Sequence, residues 1–351
     1  MAVNVKKIKG SGLYLLKQEA ENKKHSSPVS DLLVGRFLGA GAKALKIGGQ
    51  PITEEVFRRL NDGRSPDGAT NLVRNAGSPT RCRGWMVAVA PHKSVSDLLM
   101  VYPPEEWRGV IRCHQLATRA ALRCMEVFCG IGRRGAGGPT EERSGLVTAV
   151  ATHLANDRGE PHIHDHIHIF NVVHHPSDNT FGALKSKNLY PLDLVIDAVY
   201  QKELSTLLRE RLAVVTTRDR FATRVVGVPD AVMRATSTRS ADIAGQAGPA
   251  AGRSAKLAQL VSEMTRGRRR YPTVAQLNES WAALADALQF TPEQVVTRAA
   301  KPLSRDEVEP VAARAVRAAA DRLAGESGTF TRWDLLARAV VGTIGKAIPY
   351  E

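Results

Sequence analysis

The chain has 351 residues, with 49 basic against 35 acidic side chains and a pI near 9.9. That length holds one large or two ordinary domains, and the basic excess favours a polyanionic partner, nucleic acid first. The four cysteines form no CxxC pair, which argues against a zinc module or a disulfide framework. No apolar run reaches the ~18 residues of a membrane span. The N-terminus MAVNVKKIKGSG lacks an apolar signal core, so a cytoplasmic protein without membrane insertion is expected.

In chain order, GRFLGAGAKALKIGG (Gly35–Gly49) is basic and rich in small residues. PITEEVFRRLNDG predicts a helix with Thr53 as N-cap and Gly63 as its stop. GWMVAVAPHKSVSDLLMVY begins as a buried strand and breaks at Pro91, and residues 105–131 read as a helix. Residues 132–145 read as a flexible basic loop, and LVTAVATHLAND as a strand carrying His153. DLVIDAVYQKELSTLLRERL (Asp193–Leu212) has the spacing of an amphipathic helix. Past about residue 225 Ala and Arg rise and helical periods dominate. GPAAGRSAKLAQ looks like a linker, and Arg266, Arg268, Arg269 and Arg270 form a cationic cluster. No GxxxxGK[ST] phosphate loop is present.

The stretch EPHIHDHIHIFN (Glu160–Asn171) places His162, His164, His166 and His168 at every second position. On a strand all four share one face, with Ile163, Asp165, Ile167 and Ile169 on the other. Imidazoles at i and i+2 can converge on one metal ion. His153 stands eleven residues before His164, and a turn at NDRGEP would return the chain antiparallel and bring it alongside. Three imidazoles with open coordination positions make a Lewis acid for a phosphoryl oxygen. A nucleophile is also needed. Tyr14, the only tyrosine before Tyr102, can form a covalent phosphodiester, although a lone tyrosine is more often a packing residue.

Together these segments resemble the relaxase domain of the MobF class, the TrwC/TraI-like conjugative relaxases of the HUH endonuclease superfamily. The likeness runs in order through GRFLGAGAKALKIGG, EVFRRLNDGRSPDG, KSVSDLL, EPHIHDHIHIFN, AVYQKELSTLLRERL, STRSADI and TFTRWDLLARAV. It implies an α+β fold with a central antiparallel sheet flanked by helices. It divides the chain into a catalytic core over 1–225 and a mainly helical, DNA-embracing extension over 226–351, with no helicase domain. Aligning Pro161 and Asn171 on the family motif selects His164 and His166, with His153, as ligands of a divalent metal (Mg²⁺, Mn²⁺ or Zn²⁺). His162 and His168 become neighbours that orient the ligands or take a proton. Tyr14 becomes the nucleophile of a reversible, strand-specific nick in single-stranded DNA at a transfer origin with an adjacent hairpin or duplex. Lys93, Arg158 and Lys185 are candidate DNA contacts, and relaxosome and type IV secretion components are implied partners.

The sequence departs from the family pattern in two ways. The acidic position before KSVS holds Met86, or Trp85 in the other count, and Tyr14 stands without a paired tyrosine. Two alternatives therefore stand beside a nickase: a rolling-circle replication initiator with the same chemistry, and a degenerate origin-binding protein that does not nick.

Overall fold

The computed structural model describes residues 3–8, 26–135, 138–238, 242, 272–299, 304–326 and 329–346. At its centre is an antiparallel sheet in the order β1 (Val3–Lys7), β3 (Gly84–Val89), β7 (Pro161–His175), β6 (Gly145–Ala155), β2 (Arg36–Leu38), with β8 (Thr180–Gly182) paired to the last residues of β7. Around it lie the helices α1 (Ala40–Ala44), α2 (Glu54–Asn61), α3 (Lys93–Ser96), α4 (Pro104–Cys129), α5 (Asp193–Leu212), α6 (Asp230–Ala235), α7 (Val274–Ala287), α8 (Arg305–Glu326) and α9 (Arg332–Val341). Two hairpins stand apart, β4 (Ile131–Arg134) with β5 (Thr140–Arg143), and β9 (Thr216–Asp219) with β10 (Ala222–Val225). This is the expected α+β architecture.

The period-2 pattern of β7 sorts its side chains onto two cores. Ile163, Ile167 and Ile169 join the larger cluster under α4 and α5, whereas Phe170 and Val172 join a smaller one with Phe57 and Leu60 of α2. Thr53 caps α2 as predicted, its hydroxyl accepting from Val56 N–H at 3.3 Å, and Gly63 follows at φ +77°. The small residues around α1 also have a reason. Gly39 sits at φ +99°, and a Cβ on Gly41 would lie 2.6 Å from the Gly145 carbonyl oxygen.

Two local expectations change. The segment read as a flexible loop contains the β4–β5 hairpin, whose register sets Arg133 opposite Glu141. Cross-strand charge pairing suits a strand pair that apolar periodicity cannot reveal. The helix α5 is not half-exposed. Asp197, Gln201, Glu203, Ser205 and Thr206 are buried along with its leucines, because α4, α9 and the hairpin β9–β10 enclose it. Its buried polar groups find partners: the Gln201 carbonyl and side-chain oxygens accept from Thr223, and Ser205 meets Thr216 at 2.7 Å.

The larger cluster holds buried side chains from Val29 to Ile344, on both sides of residue 225. Trp281 of α7 packs on Trp107 of α4 at 5.3 Å between ring centroids and donates to the Gly159 carbonyl at 2.8 Å. It thus ties the C-terminal helices to the β6–β7 turn. Trp281→Phe is expected to cost about 1 kcal/mol for the lost hydrogen bond, and Trp281→Ala about 3–5 kcal/mol for the cavity, both read from urea unfolding.

Candidate metal centre

The β6–β7 turn returns the chain antiparallel and puts His153 directly opposite His164. Each of His153, His164 and His166 offers a ring nitrogen within 4.8 Å of the others, and all three are half-buried. Their centroids stand 4.9–5.1 Å apart and nearly edge-to-face. Among the described residues no other cluster of histidine, cysteine or carboxylate side chains reaches this proximity. The donor set fits a divalent metal. Nδ1 of His164 lies 2.8 Å from the His162 carbonyl oxygen. A carbonyl only accepts, so Nδ1 carries the proton and Nε2 presents its lone pair, the state a metal requires.

The outer two histidines differ from each other. His162 stacks on His164 at 4.7 Å and 29°. Burial, reinforced by His164, Lys93 and His166, holds its pKa well below the usual imidazole range. His168 is wholly buried, 4.6 Å from the Phe57 ring and 4.4 Å from Phe170, and burial lowers its pKa to about 3. It belongs to the smaller core, away from the open end of the histidine row. The two residues offered for the family's acidic position lie on opposite faces of the sheet. Met86 pairs with His168 and joins the histidine-face core, whereas Trp85 joins the opposite one.

Lys93–Leu99 forms a bracket around the start of β7. The Ser96 hydroxyl accepts from Ile163 N–H at 3.0 Å and the Ser94 hydroxyl from Val225 N–H at 2.9 Å. Lys93 donates from Nζ to the Pro161 carbonyl and stands 4.0 Å from Asp97. Of the other two residues expected at DNA, Arg158 is held by Asp242 and Thr238, and Lys185 by Glu141. The three are not brought together: Lys93 and Arg158 lie at the start of β7, while Lys185 bonds through its backbone to Ile131 near the other end. Asn171, the register marker, is a strand clamp. Its side chain donates to the Cys82 carbonyl and accepts from Leu184 N–H, both at 3.0 Å. Tyr14 lies outside the described residues, as does the Arg266–Arg270 cluster.

Asp97 gives a pH test. It is fully buried and accepts from the Thr236 hydroxyl at 2.9 Å. Burial, only partly opposed by Lys93 and Thr236, raises its pKa to about 7. The folded state therefore keeps a proton that the unfolded chain loses above its ordinary value of 3.8. The resulting stabilisation is full below that value and fades as pH rises through about 7. Asp97→Asn cannot titrate, so its stability relative to wild type should rise by on the order of 2–3 kcal/mol between pH 5 and pH 7.5, measured by urea unfolding at both values.

Two features of the molecule leave no local mark in the sequence. Behind β7, Asp165 meets His114 of α4, which in turn meets Tyr200 of α5. Nothing local in the sequence links these three positions. A cleft lined by Asn71, Arg74, Asn75, Arg133, Arg134 and His175 lies at the other end of β7 from His164 and His166. Arg74 and Arg133 are exposed there, while Arg134 pairs with Asp178 and Glu142.

Residues 9–288 match the family model of the TrwC relaxase. The chain belongs to the TrwC relaxase family. It is 28% identical over 328 residues to the multifunctional conjugation protein TraI of Escherichia coli, covering 87% of this chain and 18% of that protein. With TraI of Escherichia coli strain K12 it shares 29% over 195 residues, 55% of this chain and 11% of that one. The chain thus spans less than a fifth of these relatives. Among solved structures, a copper-bound conjugative relaxase TrwC in complex with oriT DNA superposes with a TM-score of 0.69 at 21% identity, covering 82% of this chain and 98% of that one. TrwC complexed with a 27-mer DNA comprising the recognition hairpin and the cleavage site gives 0.66 at 19% identity, again over 82% and 98%. The relaxase fold assignment rests on these superpositions. Among the described residues, no helix is long and apolar enough to cross a membrane.

Proposed function

We propose that this protein is a cytoplasmic DNA relaxase that nicks one strand at a transfer origin and can reseal it. The carrying observation is the convergence of His153, His164 and His166 in a chain of this family. A divalent ion on those imidazoles would supply the charge that polarises the scissile phosphate. The oxygen of Tyr14 attacks phosphorus, the bond to the 3′ oxygen breaks, and a 5′-phosphotyrosyl strand and a 3′-hydroxyl result. The tyrosine proton leaves and the 3′ oxygen gains one, so the reverse reaction can rejoin the strand. Chain reach supports Tyr14. It lies six residues past Ile8, whose N–H bonds the Gly84 carbonyl, and Gly84 pairs with Phe170. Phe170 stands about 14 Å along β7 from His166, and six residues span up to about 20 Å.

His162, stacked against a ligand, is the neighbour we assign to orienting that ligand. The aromatic enclosure of His168 suits packing better than proton transfer. Lys93, Arg158 and Lys185 remain candidate DNA contacts only if DNA displaces their present partners, so Arg74 and Arg133 are the stronger candidates. Relaxosome and secretion partners follow from the relatives' role in conjugation. A rolling-circle initiator would use the same residues on a different origin.

The test is a denaturing gel after incubation with single-stranded oligonucleotides covering the origin of the element that carries this gene, with Mg²⁺ or Mn²⁺. A covalent protein–DNA adduct is expected. Binding to hairpin DNA with no adduct under any metal would leave the degenerate origin binder. Neutralising Arg74 and Arg133 together should flatten the slope of log affinity against log salt by about 1.5, measured by fluorescence anisotropy on hairpin DNA.

A further inference from the structure

The two sheet positions interleaved with the ligands carry buried polar side chains on the reverse face. Asp165 lies between His164 and His166, and Thr152 precedes His153. Asp165 and Thr152 are partners across the β6–β7 ladder. Both are gripped by α4. The Asp165 carboxylate stands 3.2 Å from Nε2 of His114, at ion-pair distance though without an aligned hydrogen bond. Gln115 donates to the Thr152 hydroxyl at 3.0 Å and to the Leu32 carbonyl at 2.6 Å. His114 is itself oriented: its Nδ1 lies 2.7 Å from the Tyr200 hydroxyl. Burial, with Asp165 and Asp197 nearby, keeps the Tyr200 pKa well above its usual value, so its hydroxyl keeps the proton and is able to donate to Nδ1 of His114. Asp165, His114 and Tyr200 are each fully buried. A buried charge is costly, and apolar side chains would cover this face of the sheet at least as well. Every other residue of β7 on this face from Ile163 to Ile169 is isoleucine.

We propose that Asp165, held from behind by His114 and Tyr200, is a positioning residue that fixes β7 against β6 so that the three imidazoles meet. Successive side chains on a strand share one stretch of backbone. Pinning Asp165 to α4, and Thr152 to the same helix, sets the pitch and separation at which His164 and His166 face His153. This role rests on reading the three histidines as a metal centre.

The probe is Co²⁺, titrated into the full chain and followed by its visible absorption bands, with urea unfolding run in parallel. The double variant His114→Leu, Asp165→Leu should keep its fold, since apolar replacement of a buried pair is often neutral. It should bind Co²⁺ at least about tenfold more weakly, with shifted bands. Asp165→Asn keeps an acceptor for His114 and should restore most of the affinity and the native spectrum. Should the double variant fail to fold, Tyr200→Phe decides, with a smaller loss of affinity and a band shift expected in the folded protein. Folded variants that bind Co²⁺ as wild type does, with an unchanged spectrum, would overturn the positioning role alone. Absence of Co²⁺ bands in the wild type would instead overturn the metal-centre reading on which it depends.

Discussion

Replacing His166 by alanine is expected to slow adduct formation by about 10²–10³-fold while leaving hairpin DNA binding within a few-fold of wild type. The ring is one of three mutually close imidazoles, so its removal leaves only two. Two ligands hold a divalent ion far less tightly than three and leave it free to shift relative to the phosphate. The proposed DNA contacts Arg74 and Arg133 line the cleft at the other end of β7, so affinity should survive. His153→Ala and His164→Ala should behave alike. Their combination should add little, since residues acting as one unit are non-additive. Gel quantification of adduct against time, with anisotropy for binding, separates the two effects.

Tyr14→Phe is expected to remove the covalent adduct altogether, with no change in metal affinity and a change in unfolding free energy of no more than about 1 kcal/mol. Phenylalanine keeps the ring and loses only the oxygen that bonds to phosphorus. The tyrosine hydroxyl ordinarily titrates near pH 10, so the wild-type rate should rise with pH over the neutral to alkaline range. With Met86 on the histidine face beside His168, no carboxylate takes the family's acidic position. Met86→Asp would place a carboxylate in an apolar core with Phe57 and Phe170, so it is not a simple restoration. An adduct persisting in Tyr14→Phe would move the nucleophile elsewhere in the chain.

Much of the fold was written in periodicity. β7, β6, β3, α2 and α4 follow from alternation, capping and length, and the eleven-residue spacing to His153 predicts the ladder pair it makes. What stayed hidden depends on distant partners. The hairpin β4–β5 hides in a charged sequence because its strands pair Arg133 with Glu141 rather than burying one face. The enclosure of α5 comes from α9, which follows it by more than a hundred residues. The same limit applies at the site. His153, His164 and His166 lie close in sequence, and strand alternation with one turn predicts the proximity they show. Asp165 shows in the sequence only as a polar residue on the isoleucine face, since its partners His114 and Tyr200 come from two helices. Lys93 was expected as a DNA contact, yet the bracket at the start of β7 turns it onto the Pro161 carbonyl.

The central claim is the register of the metal site, and metal affinity in two variants tests it most directly. Isothermal titration with Mn²⁺ should show binding lost in His166→Ala and unchanged in His168→Leu, a replacement that suits the pocket between Phe57 and Phe170. Binding that survives in His166→Ala and disappears in folded His168→Leu would shift the site by one imidazole pair and contradict the account.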